Sequence, residues 1–371
     1  MPSDSRVSVI DSTESADASR MSIASVRILR MALGTALSML FSQIVNWPMS
    51  FIAPVLTMFI LSLPLPVLKL DAGIKFVLVF TVAIYAGLVF LPFMLNQRVV
   101  GILLLGLALY HSFYYTARGG SQVVGVFATV GLALVTSVGT VSINAVLALL
   151  GGLSTGAVFG VLFVWVAHAI LPDSMARSEP VQAPRVQAKV QKPDLAVARR
   201  SAWRSMLIVM PVILWFLLSS ASASYAAFMI KVASMGQQAG VDQSRQAGKS
   251  LLISTVIGGM GAIVAWQALS IWPSLLLYVL LIGLAGLIMG PKIFAGAGMH
   301  PAGATWSYGY LTMIVVLAPA VLDGQTGASA DAAFWSRLQM FIWATIYGTG
   351  AVFVFDALWR RKPAPEPELD K

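Results

Sequence analysis

Cysteine is absent from all 371 residues, which removes disulfides, thiol nucleophiles and cysteine-held metal sites together. Charge is scarce as well. Asp, Glu, Lys and Arg make up 11% of the chain, against about a quarter in soluble domains. The three histidines, His111, His168 and His300, lie too far apart in sequence for an HExxH zinc motif. Ala247-Gly248-Lys249-Ser250 resembles the tail of a phosphate-binding loop. Its first glycine position holds Gln243, however, and no strand precedes it. No nucleophile–base pair stands out. An enzyme is therefore not expected, and neither a cofactor nor a metal is called for.

What fills the chain instead is apolar: 58% of the residues are hydrophobic. A bilayer core needs about 20 apolar residues per helix. Runs near that length fall at about 26–45, 50–68, 73–95, 99–116, 121–138 and 143–171, then at about 203–220, 223–236, 247–269, 273–290, 303–322 and 335–359. Run length and the lack of strict alternation favour helices over barrel strands. The formal charge of +9 does not point to nucleic acid, because Lys and Arg fall almost wholly between the apolar runs. With a cytosolic N-terminus, only Arg98 and Arg337 fall on the outer side, leaving 22 of the 24 basic residues at or toward the cytosol.

The pentapeptide Thr-Gly-Ala-Val-Phe occurs at 155–159 and again at 349–353. Arg30 lies 42 residues before Ala72, and Arg204 lies 43 before Ala247, so the two halves keep register through their third spans. These spacings predict an all-α integral membrane protein of about 12 transmembrane helices. It is arranged as two parallel six-helix repeats, with both termini cytosolic. The expected parts are a disordered cytosolic tail (1–24), a first repeat (25–172), a cytosolic linker (173–202), a second repeat (203–361) and a C-terminal tail (362–371).

Within this frame, Gly152, Gly156 and Gly160 form a stripe that lets helices approach closely, as do Gly286 and Gly290. Arg27, Arg30 and Arg204 read as snorkelling anchors, with Arg30 and Arg204 kept as candidates for substrate contact. His168 and Asp356, near the ends of their spans, read as structural. The second span of each half is more informative. The first carries Pro54, Pro64 and Pro66; its counterpart is short and holds Lys231. Paired broken spans in two repeats point to a transporter's midplane site. There, free N–H groups and Lys231 would suit a carboxylate, beside Pro54. Tyr110-His111-Ser112-Phe113-Tyr114-Tyr115 reads either as an interface belt or as an aromatic lining. In the second case Tyr110 and Tyr114 face substrate and His111 is the proton-coupling candidate.

Arg27-x-x-Arg30, Trp47-Pro48, Phe51-x-Ala53-Pro54 and His168-Ala169-Ile170-Leu171-Pro172 resemble the fusaric-acid-resistance and aromatic-acid-exporter superfamily. Within it they are most similar to the bacterial family called domain of unknown function 2955. The resemblance runs over about 25–360. It implies efflux of small, often aromatic, carboxylates or drugs across the bacterial inner membrane, often with a periplasmic membrane-fusion adaptor. The larger exporters carry a cytosolic domain where this chain has a short linker. The expected function is thus a secondary efflux permease, with or without proton coupling. Its partners are a small-molecule substrate, the lipid bilayer and an adaptor, and a homo-oligomer stays open. An anion channel and a non-transporting membrane scaffold are the competing readings. Reporter tags at the N-terminus, in 173–202 and at the C-terminus should all signal from the cytosol; a periplasmic signal from 173–202 would break the six-plus-six arrangement.

Overall fold

The computed structural model describes residues 21–175, 194–218, 232, 245–296, 298–325 and 330–358. The first half holds α1 (Ile23–Val45), α2 (Ile52–Leu61) and α3 (Leu70–Tyr85). A 3-10 turn (Ala86–Phe90) continues α3 into α4 (Leu91–Asn96). Next come α5 (Arg98–Ala117), α6 (Gln122–Gly139) and α7 (Ile143–Ile170), then a short 3-10 turn, Asp173–Met175. The second half holds α8 (Leu195–Leu218), α9 (Arg245–Ile271), α10 (Leu275–Ile293), α11 (Gly303–Gln325) and α12 (Ala330–Leu358). A two-residue hairpin, β1 (Phe294–Ala295) with β2 (Gly298–Met299), lies between α10 and α11.

Among the described residues, eight helices are long and apolar enough to cross a bilayer: α1, α3 with α4, α5, α7, α9, α10, α11 and α12. Two shorter apolar helices accompany them, Ile52–Leu61 and Val124–Gly139. Large apolar side chains such as Val99, Leu103, Val264 and Leu280 stand exposed on the outer helices, as expected of a surface solvated by lipid tails. Of the expected span 223–236 only Val232 is among the described residues. Residues 1–20, 176–193 and 359–371, which hold most of the expected tails and linker, lie outside them.

Two expected boundaries move. The second span, expected over 50–68, is helical for only ten residues. Pro54 is not what breaks it. Pro54 sits in the first turn of α2, where a missing N–H costs no helical bond. The break comes at Leu63-Pro64-Leu65-Pro66, because a residue before proline avoids the helical region. Trp165 Nε1 on α7 then donates to Leu68 O at 2.8 Å, holding this irregular stretch against protein. The other shift is in α8, which begins at Leu195, inside the expected linker.

The helix starts are locally encoded. Ser22, Ser142 and Ser274 each cap a helix, their hydroxyls accepting from the N–H groups of Ser25, Ala145 and Leu277. Asn46 closes α1 in the left-handed region (φ 50°), a conformation asparagine tolerates. Within the first half, α1 packs on α2 and α7, α2 on α7, α3 on α6 and α7, and α5 on α6. Within the second, α9 packs on α10, α11 and α12, α11 on α10 and α12, and α8 on α12. Across the halves α1 lies along α10 and α5 along α8, while α2 touches α11. The buried centre of each half is one helix, α6 from Val126 to Val138 and α11 from Ser307 to Ala320.

Glycines set these crossings. A methyl group added at Gly87 would stand 2.6 Å from Gly131 O, where the turn after α3 meets α6. At Gly156 and Gly160 it would stand 2.9 Å from Ile52 Cβ and Leu56 Cβ, so the α7 stripe seats α2. The first Thr-Gly-Ala-Val-Phe copy thus packs on α2 through Gly156, and Phe159 meets Phe41 and Trp47 at 4.9 and 5.2 Å. At Gly350 in the second copy an added methyl meets nothing among the described residues.

The stripe yields a matched test. A methyl at Gly152 would overlap the carbonyl oxygen of Pro48, whereas at Gly151 it would meet nothing within 4 Å. Gly152→Ala should destabilise by about 1–3 kcal/mol, while Gly151→Ala should stay within about 0.5 kcal/mol. Thermal unfolding of the two purified variants checks this; equal midpoints would mean the stripe does not seat the turn between α1 and α2.

Candidate functional site

Two polar centres lie inside this apolar bundle. The first is a column on α1. Thr35, Ser38 and Ser42 follow at helical spacing, each fully buried, with Gln43 beside them at 7% exposure. Thr57 on α2 joins the column to two neighbours, donating to Gly160 O of α7 at 3.1 Å and lying 3.2 Å from Ser38 Oγ. On the α10 side, the Tyr310 hydroxyl donates to Ile282 O at 2.8 Å. A methyl at Gly286 would stand 3.0 Å from that hydroxyl and 2.9 Å from Ala32 Cα, so the phenol reaches the α1–α10 crossing. Thr35 faces the Tyr310 hydroxyl without a well-formed hydrogen bond. Ser42 Oγ, Gln43 Oε1 and the Tyr278 hydroxyl are buried with no hydrogen-bond partner among the described residues.

The second centre lies where α1 starts and α7 ends. Arg30 is 3% exposed, so its guanidinium does not snorkel outward. It donates from Nε (2.9 Å) and Nη2 to Leu171 O, and from Nη2 to Asp173 Oδ1 at 2.7 Å. Asp173 itself is half exposed. Arg27, Arg30 and His168 line a small cleft whose other wall is apolar, built from Ile60, Leu61 and the stretch Leu63–Leu68. His168 is buried, with Nδ1 2.9 Å from Val164 O and Nε2 buried without a partner among the described residues.

The other expected site residues are dispersed. Pro54 is buried at the opposite end of α2 from the cleft. Arg204, its position on α8 matching Arg30 in the sequence register, is equally buried. Tyr110 and Tyr114 stack on α5 with ring centroids 6.0 Å apart. Tyr110 also meets Trp203 of α8 at 5.1 Å, and Arg118 lies over Tyr114. The expected partly buried His111 is not seen: its ring is exposed, with Nδ1 2.8 Å from Leu107 O of its own helix. Lys231 lies outside the described residues. Sequence reasoning passed over Asp173 altogether and left His168 a structural role. A histidine one turn before the Leu171–Asp173 segment was the signal available.

These features define a multi-span, all-α membrane protein with polar groups threaded through its interior. Residues 27–167, from α1 to near the end of α7, match the model of a family described as protein of unknown function (DUF2955). No curated protein and no solved structure matches the chain. Among the described residues, no group of three or more His, Asp or Glu side chains is placed to hold a metal ion.

The Arg30 tie can be dissected. Arg30→Met strands Leu171 O and Asp173 together, and should destabilise by about 1–3 kcal/mol. Asp173→Asn removes only a half-exposed charge pair and should cost about 1 kcal/mol or less. Equal thermal midpoints for the two variants would show that the carbonyl bonds contribute nothing.

Proposed function

We propose that this protein is a transporter, a secondary efflux permease for small organic compounds of the aromatic-carboxylate or drug-like kind. The observation that carries the reading is the polar column of α1 with its facing tyrosines. A hydroxyl or amide buried without a partner in a lipid-immersed bundle is disfavoured by roughly 1–3 kcal/mol. Alanine or valine would remove that penalty in a protein that serves only as a scaffold. A pathway for polar solutes gives such groups a use, since intramembrane polar residues mark substrate routes.

A duplicated architecture would support the same reading. Gly106 of α5 faces Met210 of α8, and Gly283 of α10 faces Ala36 of α1. Met210 stands to Ala36 as Arg204 stands to Arg30 in the register of the halves. Each half would then present its first span to the fourth span of the other, about an axis along the membrane normal, as in parallel-repeat transporters. With the unassigned second span of the latter half included, the chain would hold twelve spans with cytosolic termini. The motifs that resemble the fusaric-acid-resistance and aromatic-acid-exporter superfamily support a carboxylate substrate, a bacterial inner-membrane setting and a periplasmic adaptor as parts of this proposal. Lys231 is its candidate carboxylate partner.

Flux of a radiolabelled aromatic carboxylate such as benzoate from proteoliposomes tests the reading. A carrier should respond to an imposed pH gradient and saturate; a channel should pass the anion down its gradient alone. Absence of flux for any of a panel of carboxylates and cationic drugs would favour the scaffold. Tyr278→Phe should hold or raise thermal stability while lowering flux, because it deletes a buried hydroxyl that packing does not need. Lys231→Met should reduce carboxylate flux about tenfold or more if a charge-assisted bond of roughly 1.5–3 kcal/mol is lost.

A further inference from the structure

The end of α7 is fastened to the start of α1 by one side chain. Arg30 holds both Leu171 O and Asp173, which directly follow the last turn of α7. One turn earlier stands His168, whose Nδ1 lies 2.9 Å from Val164 O. A carbonyl only accepts, so Nδ1 carries the hydrogen, and in the neutral ring Nε2 presents a lone pair. That atom is buried, with no partner among the described residues. It belongs to a side chain lining the same cleft as Arg27 and Arg30, whose free volume of about 10 Å³ suffices for a single water.

We propose that His168 is a proton-binding site whose occupancy releases the Arg30 latch. A proton delivered through the cleft would settle on Nε2, the one free ring position. The ring would then add a positive charge beside Arg27 and Arg30 and within electrostatic reach of Asp173. Two effects act in the same direction: the imidazolium repels the Arg30 guanidinium, and it competes for the Asp173 carboxylate. The latch is closed with neutral His168 and loosens as pH falls through the titration of the ring.

Among the described residues, the surroundings contain little else to alter this balance. On α1 the ring is faced by Arg27 and Arg30, and beyond the end of α7 by Asp173. The wall from α2 and the stretch after it offers no ionisable group in the cleft. Lys69 stands at the far end of that stretch, and Asp71 and Lys75 on α3 are exposed; α6, packed on α7, has no ionisable residue. His168 thus replaces the exposed His111 as the proton-responsive residue. In the permease proposed above, the latch would gate one mouth of the pathway; only that consequence rests on the transport reading.

The lack of native cysteine makes the test direct. In the full chain, Met21→Cys and Ser174→Cys, both at exposed positions of this end, carry spin labels for a pulsed distance measurement without any transported solute. A short-distance population should dominate at about pH 8, and a longer one should grow about threefold or more by about pH 5. His168→Gln should abolish that response. Asp173→Asn should show the longer population already at the higher pH. A distance distribution that ignores pH, or responds equally in His168→Gln, overturns the proposal. A second measurement avoids altering the site: in a His111→Gln/His300→Gln chain, the ring nitrogens of the remaining histidine are followed by NMR. Nδ1–H in the neutral form and protonation at Nε2 within that range are expected; one unchanging state sinks the latch. A flat response leaves the transport reading standing, and absent flux leaves the latch standing.

Discussion

In a hydrocarbon layer no water takes over a hydrogen bond that the protein fails to make. That constraint organises the molecule. It confines the backbone to helices, which satisfy their own N–H and C=O groups, and allows irregular chain only where protein covers it. The stretch after α2 obeys it: Ser62 Oγ donates to Phe59 O, and Trp165 donates to Leu68 O. Arg30 obeys it too, spending its donors on a carbonyl and a carboxylate instead of reaching for a surface. Where the rule is broken among the described residues, the exceptions are spread over several helices, among them Ser42 and Gln43 on α1, Ser137 on α6, His168 on α7 and Tyr278 on α10.

The same solvent removes the hydrophobic effect as a force between helices, so association depends on close contact and shape. Helix α1 shows the two demands meeting on one element. Toward α10 it offers Ile28, Ala32 and Ala36 to the glycines Gly290, Gly286 and Gly283. Its buried hydroxyls run along the same helix. Small residues permit the approach, and the approach excludes the water that the hydroxyls would otherwise bind. A helix placed at such a junction is well suited to respond when either neighbour shifts. Its first turns carry Arg27 and Arg30, so the latch at its start and the column along its length share one rigid rod.

A pair such as Arg30–Asp173, one partner buried and the other half exposed, sits between two regimes. It is too wet to stabilise the fold strongly and too dry to be indifferent to a new charge nearby. A proton on His168 would supply such a charge. Proline enters the same logic, because Pro64 and Pro66 keep α2 short and leave an irregular segment as one wall of the cleft. A continuous helix there would bring no loop against Arg27 and His168.

Sequence alone determined that this is a helical membrane protein, because run length and hydropathy report directly on the solvent. It determined that the second span would be broken at proline, though not that the break spares Pro54 and falls at Leu63–Pro66, and that Gly152, Gly156 and Gly160 would carry a close helix contact. It took His111 for partly buried, where the structure leaves it exposed, and did not say that His168 is buried. In a soluble helix, polarity marks the outer face. Here α7 is apolar on every side, so nothing in its periodicity says which face meets protein and which meets lipid. Which histidine is buried, which arginine finds a carboxylate and which hydroxyls line one junction were therefore decided by tertiary packing. Arg30 and Asp173 are 143 residues apart, and no local pattern links them; they meet because helices α1 and α7 pack side by side.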